Sequence, residues 1–144
     1  MSRVARSITV KAPPDAVMEY IADVRNHPAF IGPLKSVDDV EGDPRQPGTS
    51  WTWKFVMGGV ELVGDAETLS YEPARTFSYR TTSGALSTFV YRAAPDGDGT
   101  RISLEVEYEL PQTVLRRMER AVLEKLNDSD AQRAIENLKA ILDS

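Results

Sequence analysis

The sequence predicts an α+β fold in which an antiparallel sheet is covered by one long C-terminal helix. Three observations carry that expectation. From Pro111 onward, Leu115, Met118, Val122, Leu126, Ala131, Ile135, Leu138 and Leu142 recur at three-, four- and once five-residue steps, an apolar stripe at helical period. Before Pro111 the apolar residues alternate in short runs separated by turn chemistry, the period of strands. The turns between those runs are short, which forces antiparallel neighbours. A helix of roughly 30 residues, about 45 Å long at 1.5 Å per residue, needs a broad apolar surface to lie on. Its other face carries Arg116, Arg117, Arg120, Glu124, Arg133 and Glu136 and faces water.

Taken in order, Val4, Arg6, Ile8 and Val10 alternate with small and polar residues as a first strand. Pro13-Pro14-Asp15 ends it and opens a helix, with Asp15 at the positive end of the dipole. Val17, Tyr20, Ile21 and Val24 form its stripe, and Asn26-His27-Pro28 disfavours continuation. A second short helix or turn packs Phe30 and Ile31. Six strands follow. Ser36 to Glu41 is the weakest, because it contains Asp38 and Asp39. Trp51 to Met57 and Val60 to Thr68 alternate on either side of Gly58-Gly59, a two-residue hairpin signal. Phe77 and Tyr79 mark a short strand, and Phe89, Tyr91 and Ala93 the next. In the last, Ile102, Leu104, Val106, Tyr108 and Leu110 share one face while Arg101, Glu105, Glu107 and Glu109 share the other. The order is strand, two short helices, six strands and a long helix, in a single domain spanning residues 1–144.

Composition narrows the function classes. The 144 residues are 41% hydrophobic and 27% charged, ordinary for a soluble globule. Lys and Arg number 17 against 22 Asp and Glu, a net charge of −5. No basic run interrupts that balance, so neither nucleic acid nor an anionic membrane surface is an expected partner, and no stretch is long and apolar enough for insertion into a membrane. No cysteine is present, which removes disulfides, thiolate metal sites and a Cys nucleophile. The start has no apolar core of signal-peptide length, so a cytoplasmic protein is the expectation.

Several short motifs together resemble the START-like (SRPBCC) superfamily of polyketide cyclase/dehydrase and lipid-transport type. They are Ala12-Pro13-Pro14-Asp15-Ala16-Val17, Asp23-Val24-Arg25-Asn26-His27-Pro28, Pro47-Gly48-Thr49, Glu72-Pro73-Ala74-Arg75-Thr76, Gly97-Asp98-Gly99-Thr100-Arg101-Ile102 and Ala134-Ile135-Glu136-Asn137-Leu138-Lys139. Each is a turn or a cap, so the set speaks for fold and is nearly silent on chemistry. The resemblance implies a helix-grip fold: a curved seven-stranded antiparallel sheet wrapped around the C-terminal helix, with a cavity between them. It also implies a small hydrophobic molecule as partner, lipid-, polyketide- or aromatic-like, held by a monomer or homodimer without a cofactor.

Trp51, Trp53, Phe55, Leu62, Phe77, Tyr79, Phe89, Tyr91, Leu104 and Tyr108 are the sheet's candidates to line such a cavity. The alternative is that they simply fill the core. Met118, Val122 and Leu126 are the helix's candidates and would form a lid. The slip at Asn127-Asp128-Ser129, all weak helix formers, would bend the helix modestly. His27 is the only histidine and, beside Pro28, reads as a capping or surface residue. Arg80 and Arg92 could reach a ligand at the rim, but solvent is the expected place for both. No Gly-x-Ser-x-Gly turn, phosphate loop, calcium loop or metal cluster is present. No catalytic residues are assigned. The expected function is therefore a binding or carrier protein, and the alternative a cyclase, aromatase or dehydratase using Tyr, Arg or His27 in the same cavity.

Overall fold

The computed structural model describes residues 1–144. The chain runs β1 (Ser2–Val10), α1 (Pro14–Ala22), a 3-10 helix (Val24–Ala29), β2 (Leu34–Glu41), β3 (Ser50–Met57), β4 (Val60–Glu72), β5 (Thr76–Thr81), β6 (Ser87–Asp96), β7 (Gly99–Tyr108), α2 (Gln112–Leu115) and α3 (Arg120–Leu142). The strands form one sheet in the order β1-β7-β6-β5-β4-β3-β2, every neighbouring pair antiparallel. Six strands meander, and β1 closes the sheet against β7 from Ser2↔Tyr108 to Val10↔Thr100. The alternation seen in the sequence is the burial pattern: Ile102, Leu104, Val106 and Tyr108 of β7 are buried, whereas Arg101 and Glu107 face out.

The β3–β4 hairpin turns on Gly58 and Gly59 as the sequence predicts, with Met57 opposite Val60. Their φ values of +56° and +79° are the left-handed pair that such a turn requires. The sheet is curved where β4 breaks register between Thr68 and Ser70, and where β2 does so between Asp38 and Glu41, with Asp39 at φ +53°.

Pro13 caps α1 and Pro14 begins it. The turn after it is built by side chains. Asp23 accepts from the Arg25 amide at 3.2 Å and starts the 3-10 helix. The last carbonyls of α1, which no helical amide reaches, are taken by that helix: Asn26 Nδ2 donates to Tyr20 O at 2.9 Å and His27 Nε2 to Ile21 O at 2.7 Å.

The C-terminal helix departs from the sequence expectation. It is interrupted at Arg116–Glu119, where Glu119 is extended (φ −64°, ψ 147°), and only α3 is long, about 35 Å for its 23 residues. The hairpin tip supplies the reason. A side chain at Gly58 would meet Leu123 at 3.0 Å and Val114 at 3.2 Å, so both residues point at the same turn. They are nine positions apart (123 − 114), and at about 100° per residue an unbroken helix would put them on opposite faces. The break resets the phase. Leu123 is fully buried, whereas Val122 and Leu126 are 46% and 43% exposed. Beyond it α3 passes Asn127–Ser129 without interruption and buries Ala134, Ile135 and Leu138. It lies chiefly along β1, fastened by Lys139 Nζ to Thr9 O at 2.9 Å and by the Lys11 amide to Asp143 Oδ1 at 2.7 Å.

Candidate ligand cavity

The concave face of the sheet and α3 enclose a cavity of about 140 Å³, with 18 of its 24 lining residues hydrophobic. Nine of the ten sheet candidates line it. β3 contributes Trp51, Trp53 and Phe55, and β4 contributes Leu62. Tyr79 comes from β5, Phe89 and Tyr91 from β6, and Leu104 and Tyr108 from β7. They are positioned by strand parity, since alternate residues share a face. Tyr79 stacks on Phe89 at 4.7 Å and 6°, and Trp53 Nε1 donates to Asp65 O at 3.0 Å, so these walls are ordered.

Four candidates need correction. Phe77 is fully buried but lies behind the wall, packed against His27, Tyr71 and Tyr79. Met118, Val122 and Leu126 form no lid. Met118 falls in the non-helical break, and the reset phase turns Val122 and Leu126 to solvent. The helix residues that do line the cavity are Asn127, Asp130, Ala131 and Ala134. Counting back from Ile135 and Leu138 in helical steps, rather than forward from Leu115, would have found this face. Two of its members are polar, which an apolar stripe does not flag.

For His27 the capping reading holds, since Nε2 closes on Ile21 O, but the surface reading does not: the residue is buried and lines the cavity. Its ring sits among Phe30 (5.2 Å between centroids), Tyr79 (5.6 Å) and Tyr91 (6.0 Å). Burial pushes the imidazole down from its ordinary 6.5 to about 4, against smaller upward effects from Ile21 O and Asp23. It is therefore neutral at pH 7. The bond to Ile21 O requires the proton on Nε2, because a carbonyl only accepts. Nδ1 is left as a bare acceptor. The neighbouring ring of Tyr91 carries a hydroxyl that is buried without a hydrogen-bond partner, and burial raises that phenol above its ordinary value.

The exposed lining residues, Leu86 and Glu109, mark the mouth. It opens between the β5–β6 turn, the end of β7 and α3. That turn is pinned over β4 at Gly64, where a Cβ would collide with the carbonyl oxygen of Ser83. Tyr108 stands here with its hydroxyl buried and Asn127 and Ser2 beside it. Ser2 Oγ donates to Glu124 at 2.6 Å and Asn127 Nδ2 points to Met57 Sδ at 3.9 Å, which leaves the Ser2 oxygen and Asn127 Oδ1 as acceptors next to the phenol. Asp130 is half-buried, and desolvation raises its carboxyl above the usual range despite Arg133 at 3.9 Å. No Lys or Arg lines the cavity. Arg80 pairs with Glu67 at 2.7 Å and Arg92 with Glu105 at 3.2 Å, all four on the outer face. No three metal-ligating side chains come together.

A curved seven-stranded sheet closed over a long C-terminal helix, with two short helices after the first strand, is the START-like helix-grip fold. The chain belongs to the polyketide cyclase / dehydrase and lipid transport family, whose model matches residues 1–143. Among solved structures it is similar to TTHA0849 from Thermus thermophilus, with TM-score 0.81 and 19% identity over 96% of this chain and 95% of that one. A START superfamily protein from Mycobacterium smegmatis gives TM-score 0.75 and 14% identity over 97% and 96%. Ginseng major latex-like protein 151 from Panax ginseng gives 0.71 and 13% over 98% and 97%. At such identities the likeness is one of fold. No curated protein sequence matches. Family and fold together indicate a ligand-binding domain of the START/polyketide-cyclase type, and no helix is long and apolar enough to cross a membrane.

Proposed function

We propose that the protein binds one small hydrophobic molecule in the cavity between sheet and α3, as a binding or carrier protein. The observation that carries this reading is a cavity walled mainly by apolar side chains, one of which, Tyr91, has a buried hydroxyl without a partner. Buried polar groups are normally satisfied, so an unpartnered hydroxyl on a residue that lines an apolar space is open to a polar group of whatever enters it. The volume bounds the guest. About 140 Å³ is close to the roughly 150 Å³ that accommodates benzene in an engineered apolar cavity. A single ring or a short chain fits, and a longer molecule must protrude through the mouth or displace α3.

A catalytic reading, cyclase- or dehydratase-like, has one observation in its favour, the unpartnered Nδ1 of His27, a residue that lines the cavity. An imidazole with its acidity near pH 4 is a weak base at neutral pH, and its other nitrogen is engaged by backbone rather than by an orienting carboxylate. Binding without turnover is the better account.

The test is titration with a fluorescent hydrophobic probe, together with native mass spectrometry of protein purified without added ligand. Ala131→Phe places a ring in the cavity from α3. The parent is expected to bind the probe at one site, and the folded variant to bind at least tenfold more weakly. Equal binding by the two would remove the cavity from the function.

A further inference from the structure

Resting on the cavity reading above, we infer that the inner end of the cavity is a subsite for one neutral hydroxyl on an aromatic ligand, with His27 Nδ1 accepting and the Tyr91 hydroxyl donating, and that the cavity rejects anions.

Hydrogen-bond inventory leads to the hydroxyl. Nε2 of His27 is committed to Ile21 O at 2.7 Å, so Nδ1 can only accept. The Tyr91 hydroxyl has no partner in the protein although it is buried. Both residues line the cavity, with ring centroids 6.0 Å apart. A group satisfying both must donate to the imidazole and accept from the phenol. A ligand hydroxyl does both. A ketone or ether leaves Nδ1 unmatched, and a methyl leaves both unmatched. The flanking rings of Tyr79 and Phe89, stacked at 4.7 Å, suit a flat body for that hydroxyl.

Charge excludes the other common polar handle. A carboxylate or phosphate offers acceptors to an acceptor at Nδ1 and finds no cation, because no Lys or Arg lines the cavity. The ionisable side chains at the mouth are Glu109 and Asp130, the latter with Arg133 on its outer side at 3.9 Å. An anion would pass two carboxyl groups and then lose its water in an apolar chamber. The two requirements act together: the guest is apolar, flat, uncharged and carries a hydroxyl at its leading end.

Three probes of nearly equal size separate the terms: toluene, phenol and benzoate, titrated calorimetrically at pH 7 into the parent and into Tyr91→Phe. A purely apolar chamber prefers toluene, since phenol must shed bound water. The parent is expected to bind phenol at least tenfold more tightly than toluene and to show no heat with benzoate. Tyr91→Phe should keep its toluene affinity within about threefold, lose phenol affinity tenfold or more, and unfold at an unchanged or higher temperature, because an unsatisfied buried hydroxyl has gone. Toluene binding the parent as tightly as phenol would overturn the hydroxyl subsite while leaving the cavity reading in place. So would a phenol preference that survives in Tyr91→Phe. Benzoate binding would overturn the exclusion of anions. Failure of all three probes would remove the cavity reading and this inference with it.

Discussion

At the inner end of the cavity a histidine is biased away from its proton, and at the mouth an aspartate is biased toward one. His27 is pushed down to about 4 and Asp130 is raised, and in both the leading cause is loss of water. The two groups would carry opposite charges, yet the chamber biases each toward its uncharged form. They differ in how firmly they are held. The imidazole is fixed by a backbone bond and a cage of rings, whereas the carboxyl has solvent and an exposed guanidinium on one side. A low-dielectric interior with a firmly held floor and a wet rim disfavours charge on its own side chains.

That contrast can be broken most forcefully at the floor. His27→Ala removes the donor that caps Ile21 O and leaves a void among Phe30, Tyr79 and Tyr91. An unsatisfied carbonyl costs roughly 1–3 kcal/mol and an aromatic-sized void adds to it, so a loss of about 4 kcal/mol is expected in urea unfolding at pH 7. A loss below about 1 kcal/mol would mean that the floor is no more rigid than the rim.

Titration gives a somewhat smaller effect with a definite sign. The unfolded histidine takes its proton near 6.5 and the folded one near 4, so between those values the unfolded chain binds more protons. Stability from this group is complete above about pH 6.5 and is lost as pH falls toward 4, by about 3 kcal/mol. Asp130 acts the other way. Its folded carboxyl is raised, so its protonation on acidification favours the folded state and offsets part of the loss. His27→Gln should flatten the decline between pH 6.5 and 4 in thermal unfolding, and Asp130→Asn should steepen it. A slope unchanged in His27→Gln would locate the titration elsewhere.

The smallest effect belongs to the outer face of α3. Val122→Trp should change stability by no more than about 0.5 kcal/mol and leave probe affinity within twofold, because Val122 faces solvent. Leu123→Ala, one position on, serves as the internal contrast, with about 2–5 kcal/mol lost from a fully buried site. If Val122→Trp abolished probe binding, the first turns of α3 would be a lid after all.

The sheet was legible in the sequence because its determinants are local. Period-two alternation, Gly58-Gly59 and the prolines around α1 each act within a few residues. The cavity walls followed, since parity on a strand decides which face a side chain takes. The helix side was misread for a physical reason. Val114 and Leu123 converge on one hairpin tip, and that long-range demand broke the helix and rotated everything after it. For His27 the cap was legible and the burial was not. Its neighbours in sequence describe a turn, and only the packing of that turn against β5 and β6 buries it. Asn127 and Asp130 were invisible to a search for apolar residues.

The pairing of β1 with β7 has a consequence for how the molecule comes into being. Residues 2–10 find their partners only at 100–108, and the tail of α3 then ties back to Lys11 and Thr9. Closing so long a loop is entropically costly before any contact rewards it, and topologies of this kind fold slowly. On a ribosome the first strand emerges early and waits, with both edges open, until β7 has been synthesised. During that interval the apolar residues of β1 must be kept from other strands by chaperones or by its own interspersed arginines, Arg3 and Arg6.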